Sequence, residues 1–191
     1  NNNHVSSTGK PLMRDNLRNN PFDGKNHIPL RDPYKFGTPF VDISVSYQHV
    51  GAGLLNNFDE ITDSTAVFSV EGENAIVDWV FVEIRSKDDS TQVLATRAGL
   101  VQRDGDVVDL DGQSDLFFPG LMLDSFYVAV KHRSHLGAMS KVVQRENVMD
   151  FTSPDFPLFD FGTRLYSQFN YEGLAMNTEV KYGYRALWAG N

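Results

Sequence analysis

The chain has 191 residues, 41% of them hydrophobic and 12% aromatic, enough for one well-filled core and too apolar for a wholly disordered tail. Its 25 acidic and 17 basic residues leave a formal charge of -8, and Lys and Arg are scattered, which argues against a nucleic-acid groove. No apolar run approaches the ~20 residues of a membrane helix, and the lack of cysteine excludes disulfides and thiolate-bound metals.

Residues 1–63 read as an extended N-terminal arm carrying one strand. Asn20-Pro21, Ile28-Pro29 and Asp32-Pro33 each bias the residue before proline away from helix. A single helical turn is expected around Leu12 to Leu17, with Pro11 near its start. Val41 to Val50 alternates: Val41, Ile43, Val45 and Tyr47 fall on one face of a strand, and Asp42, Ser44, Ser46 and Gln48 on the other. Gly51-Ala52-Gly53 breaks it.

Residues 64–152 are expected to hold the core, organised around Ile76 to Arg85. As a strand, this run places Ile76, Val80, Val82 and Ile84 on one face and Val77, Trp79 and Phe81 on the other. Burying those side chains fully gains on the order of 10–20 kcal/mol, about what fixing the backbone of the run costs in entropy. Half-burial would lose, so both faces need a cover. Further strands are predicted at Ala66 to Val70, Val93 to Gln102, Val107 to Leu110, Asp115 to Phe118, Phe126 to Arg133 and Lys141 to Val143, with a last one near Met149. Glu71-Gly72, Asp88-Asp89-Ser90, Asp104-Gly105, Asp111-Gly112 and Pro119-Gly120 supply the turns. The fold class expected is all-β, an antiparallel β-sandwich of Ig-like or transthyretin-like kind with long extended N- and C-terminal arms.

Residues 153–191 form an aromatic-rich C-terminal arm whose rings are costly to leave in water. They must pack on the core or on a neighbouring subunit. The assembly contacts expected are Val41, Ile43, Val45 and Tyr47 from the first arm and Phe156, Phe159, Phe161, Tyr182, Tyr184 and Trp188 from the second.

Few groups suggest chemistry. Asp104, Asp106, Asp109 and Asp111 could gather oxygens around calcium, although the spacing is not that of an EF-hand and acidic residues also populate solvated turns. His132 and His135 are spaced for two metal ligands, yet two histidines alone do not make a zinc site, and hydrogen bonding at a strand end is the plainer reading. Asp78, inside the apolar run, calls for a partner such as Arg97 or Arg133; a perturbed acid there could also mark an active site. No GxSxG elbow or Walker loop occurs, so no enzyme is expected.

The runs AIVDWVFVEIRS, VLATRAGLVQRDGDVVDLDG, FYVAVKHRSHLGAMS and RALWAGN, with MRDNLR and HIPLRDPY upstream, resemble a module near the C-termini of large secreted and cell-surface proteins of Bacteroidota, of hemagglutinin-like or adhesin-like description. The resemblance covers most of the chain from about Leu12. Family members commonly continue past the tryptophan and glycine matched by Trp188 and Gly190 into dockerin-like calcium repeats, which this sequence lacks. Calcium binding through such repeats is therefore not carried over. The resemblance implies an extracellular or cell-surface setting, with a signal peptide removed.

The expected function is a structural subunit that self-assembles as a homo-oligomer or polymer into a surface filament, sheath or array, without cofactor unless calcium binds. Strand addition to a sheet edge is a suitable mechanism. The alternative is an adhesion or carbohydrate-binding module in which Tyr182, Tyr184 and Trp188 stack on a surface glycan. A hydrolase using Asp78 or the histidine pair is a third reading.

Overall fold

The computed structural model describes residues 9, 11–36, 49–51, 62 and 64–159. Among them the protein is all-β: helix is confined to two four-residue turns, α1 (Pro33–Phe36) and α2 (Ser64–Val67), and one 3-10 turn at Gly72–Asn74. The strands are β1 (Ile76–Ser86), β2 (Val93–Gln102), β3 (Val107–Val108), β4 (Ser125–His132), β5 (His135–Met139) and β6 (Val143–Gln144). They form one sheet in the order β3-β2-β1-β4-β5, with β6 also paired to β4. None of the described helices is long and apolar enough to cross a membrane.

β1 is the central strand, and its first nine residues, Ile76 to Ile84, are all buried. Both faces are therefore shielded, as the two apolar sets in its sequence require. β2 lies where its pattern predicts. The stretch Ala66 to Val70, expected as a strand, is a helical turn followed by a bend. Asp115 keeps only an isolated bridge to Val108, and no strand forms near Met149. The turn expected around Leu12 to Leu17 falls at 16–18 and does not become a helix. These short segments lack the length to overcome the geometry of their neighbours.

Two compact units are distinguished, Asn1–Phe81 with Arg97–Pro119, and Val82–Thr96 with Gly120–Asn191. The first unit is built on Trp79, Phe81, Ala98, Leu100 and Val108, joined by Ile28, Tyr34, Val67, Phe68 and Ile76. Ile28 and Tyr34 come from the stretch expected as an arm, and hydrogen bonds fix them there. Trp79 Nε1 donates to the Pro29 carbonyl at 2.7 Å, and Tyr34 Oη donates to the Trp79 carbonyl at 2.8 Å. Asp32 caps α1 by accepting the Tyr34 N–H at 2.7 Å, with Pro33 at the first helical position, where its missing N–H costs nothing. The other Asp32 oxygen meets His49 Nε2 at 2.6 Å, and the His49 ring lies 5.0 Å from that of Phe81. A short hairpin links β2 to β3 through Gly105, whose φ of 101° is open to glycine at little cost. At Gly99 a Cβ would come within 3.1 Å of the Val108 carbonyl, so the close approach of β3 favours glycine there.

In the second unit, β4 and β5 form a hairpin with Ala129 opposite Met139, Val130 opposite Ala138 and His132 opposite His135. The register moves by one residue before Phe126 meets Val143 in β6. Ser140 spans this offset. Its N–H donates to the Val128 carbonyl at 2.8 Å, and its Oγ accepts the Val128 N–H at 2.9 Å, so a hydroxyl replaces a ladder carbonyl. Glu83 is buried on β1, bound by Lys131 of β4 and by Arg85, whose Nε donates to it at 2.8 Å. That pairing is what permits a carboxylate inside the sheet.

Tyr34→Phe keeps the ring and deletes the donor to the Trp79 carbonyl. It should lower unfolding free energy by about 1–2 kcal/mol, measured as a shift in the urea midpoint at unchanged slope.

Candidate functional site

The four aspartates proposed for calcium do not share one focus. Asp109 forms a two-pronged pair with Arg97, at 2.7 and 2.8 Å, and Arg97 also donates to the Phe117 carbonyl at 2.7 Å. Asp111 accepts from the Ser114 hydroxyl and from the Gln113 and Ser114 amides, closing the turn that follows β3. Asp104 accepts the Asp106 N–H at 3.2 Å at the β2–β3 turn, and Asp106 is exposed. Among the described residues no group of three or more histidine or acidic side chains is placed to hold a metal ion.

Their electrostatics diverge for the same reason. Burial works against ionisation of Asp109, but hydrogen bonds from Arg97 and the Leu110 amide, with the Arg97 charge, outweigh it and hold the carboxyl below its ordinary value. The hydroxyl of Ser114, followed by the two amides, lowers Asp111. Burial pushes Asp104 up against the opposing Asp106 amide, and the Asp106 and Glu73 charges add to that rise.

Asp78 is buried, and its Oδ1 accepts the Trp79 N–H at 2.8 Å. His132 and His135 face each other across the β4–β5 turn, Nδ1 to Nδ1 at 2.8 Å, with the rings edge to face. The strand expected at Phe126 to Arg133 leaves His135 beyond its end; in the fold His135 opens β5, which puts it directly opposite its partner.

Of the expected contact residues, Phe156 packs at a tilt against Phe151 with centroids 4.8 Å apart, and Phe159 and Tyr127 meet edge to face at 5.6 Å. Val41, Ile43, Val45, Tyr47, Phe161, Tyr182, Tyr184 and Trp188 lie outside the described residues. Leu158, which stands in no periodic pattern, is central to this region. Ser140 bridges Leu158 in antiparallel fashion, Lys141 N–H donates to the Pro157 carbonyl and Phe159 N–H to the Met139 carbonyl, both at 2.8 Å. Residues 157–159 thus extend the sheet beyond β5, with Leu158 packed near Ala138 and Phe151. Its only signal was an apolar residue between proline and phenylalanine. A groove of about 520 Å³ lies alongside, lined by Val142, Val143, Val148, Phe156 and Pro157 with Asp150 and Asp155 on its wall.

A carboxyl whose folded pKa lies below its unfolded value adds stability above the unfolded value and loses it as pH falls through the folded one. For Asp109 the reference value is 3.8, so its contribution is complete at neutral pH and disappears on acidification below that value. Asp109→Asn should cost about 1–3 kcal/mol at pH 7 and flatten the acid limb of the stability profile, measured by denaturant titration from pH 7 to pH 2. No family model, curated protein or solved structure matches the chain.

Proposed function

We propose that this chain is a non-enzymatic extracellular structural subunit that self-assembles into a bacterial surface filament, sheath or array through strand and arm contacts. The observation that carries this reading is the C-terminal end of β5, where residues 157–159 pair with residues 139–141 in a short antiparallel bridge through main-chain bonds. An edge that accepts an extended segment in this way can accept the same segment from another copy, with affinity from the backbone and register from alternate side chains. Leu158 and Phe159 supply that register by meeting Ala138 and Tyr127. Phe22, Met122 and Val148, exposed at 96%, 81% and 89%, offer further apolar contact points.

The architecture that goes with this reading is a sandwich containing the β1 sheet, flanked by arms at 1–63 and 153–191. The cell-surface setting draws on the resemblance of AIVDWVFVEIRS and FYVAVKHRSHLGAMS to the Bacteroidota module.

Light scattering and electron microscopy over a dilution series test the proposal. Mass should grow with concentration, and Leu158→Asp should raise the concentration needed by about 10-fold or more, equivalent to about 1.4 kcal/mol. A strict monomer throughout the series overturns it.

A further inference from the structure

The segment ahead of Ile28 contains a turn that is tightly fixed yet packs its largest side chain on nothing. The Gly24 N–H donates to the Asn20 carbonyl at 2.8 Å, and the Asn20 N–H donates to the Lys25 carbonyl at 3.2 Å. Side chains tighten the bend. Asn20 Oδ1 accepts the Phe22 N–H at 2.8 Å, and Asp23 Oδ1 accepts the Lys25 N–H at 3.0 Å, while the Asp23 carboxylate also meets His27 Nε2 at 3.0 Å. Gly24, with a φ of 68°, supplies the left-handed residue that the bend needs. In the middle of it Phe22 is 96% exposed.

A single apolar side chain in solvent is ordinary on a protein surface. Phe22 differs because the backbone on both sides of it is held by hydrogen bonds, so its ring is presented from a fixed base. Docking such a ring orders little that is not already ordered, which removes part of the entropic cost of association. Aromatic anchors of this kind supply much of the binding energy where they enter an apolar pocket.

The groove beside residues 157–159, of about 520 Å³, has the complementary character. Val143 is buried there, Phe156 is half-buried, and Val142 and Val148 are exposed along it. The charged residues of its lining are both acidic, Asp150 and Asp155. Asp150 is engaged by the N–H and the hydroxyl of Thr152. The Asp155 carboxylate has no hydrogen-bond or ionic partner among the described residues. On the Phe22 turn Asp23 is tied to His27, and the exposed Lys25 ammonium likewise has no ion pair among the described residues. An anchor ring with a free cation three residues on thus matches an apolar groove with a free carboxylate on its wall.

We propose that the Phe22 turn of one copy docks in this groove of another, with the ring against Val143, Val148 and Phe156 and the Lys25 ammonium on Asp155. The contact rests on the self-assembly proposed above and names a second interface for it. Because the turn and the groove are different patches, the contact is heterologous: each copy offers both, and successive copies join head to tail into a ring or an open filament.

Light scattering on the whole chain tests this. Phe22→Ala should raise the concentration needed for assembly roughly 10-fold, while circular dichroism stays unchanged because the ring is outside the core. Lys25→Glu should raise it about 2- to 5-fold, and Asp155→Lys in the same chain should restore it. Replacing Phe22 with photoreactive benzoylphenylalanine, in an equal mixture of unlabelled and isotope-labelled chains, should give crosslinks of mixed label from position 22 to residues 142–157. Assembly that Phe22→Ala leaves unaltered, or crosslinks that fall outside the groove, overturns the docking and leaves assembly through residues 157–159 standing. Failure of the charge exchange to restore assembly overturns the pairing of Lys25 with Asp155, and a strict monomer overturns both interfaces.

Discussion

The structure depends on the double burial of β1. The strand has neighbours on both long edges and is buried at every residue from Ile76 to Ile84. Such a segment cannot fold on local preferences alone. It must recruit cover from far along the chain, which is why residues around Pro29 and Tyr34 are tied to Trp79 across a sequence separation of 45 to 50. The two polar ends of Trp79, its indole N–H and its carbonyl, are both used for that purpose. The ring fills space while its polar atoms hold the covering segment in place.

The strand changes character along its length. Around Trp79 and Phe81 its surroundings are apolar, whereas Glu83 introduces a charge that the buried environment tolerates only with Lys131 and Arg85 in contact. Arg97 and Asp109 repeat the solution at another point on the sheet. Glu83 and Arg97, both buried, are thereby each engaged with an opposite charge. Both ends of the strand order are also extended by short bridges, Val108 with Asp115 and Ser140 with Leu158, so neither edge is left as a long bare ladder.

What was legible in the sequence follows the strength of each pattern. The β1 run announced itself because apolar side chains occupied both parities, and β2 because its polar breaks lie just outside Val93 and Gln102. Turn chemistry was equally readable: Gly72, Gly105, Gly112 and Gly120 all have positive φ at the predicted turns. Ala66 to Val70 misled because a five-residue run of Ala, Val, Phe, Ser and Val suits a strand and a helical turn alike, and the burial of Val67 and Phe68 in the core decides. The role of Leu158 was not visible because a single bridging residue has no periodicity. Nor could spacing reveal that His135 begins a strand; only the register across the two-residue turn sets the histidine rings together.

Ser140 carries a consequence for the fidelity of the sheet. If β5 slipped by one residue, Met139 or Lys141 would face Val128, and neither side chain offers an oxygen to its N–H. A misaligned hairpin would therefore carry an orphaned donor in its interior, while the correct one carries none there. One hydroxyl acts as a reading-frame check on strand alignment, in a hairpin whose outer flank is also where residues 157–159 attach.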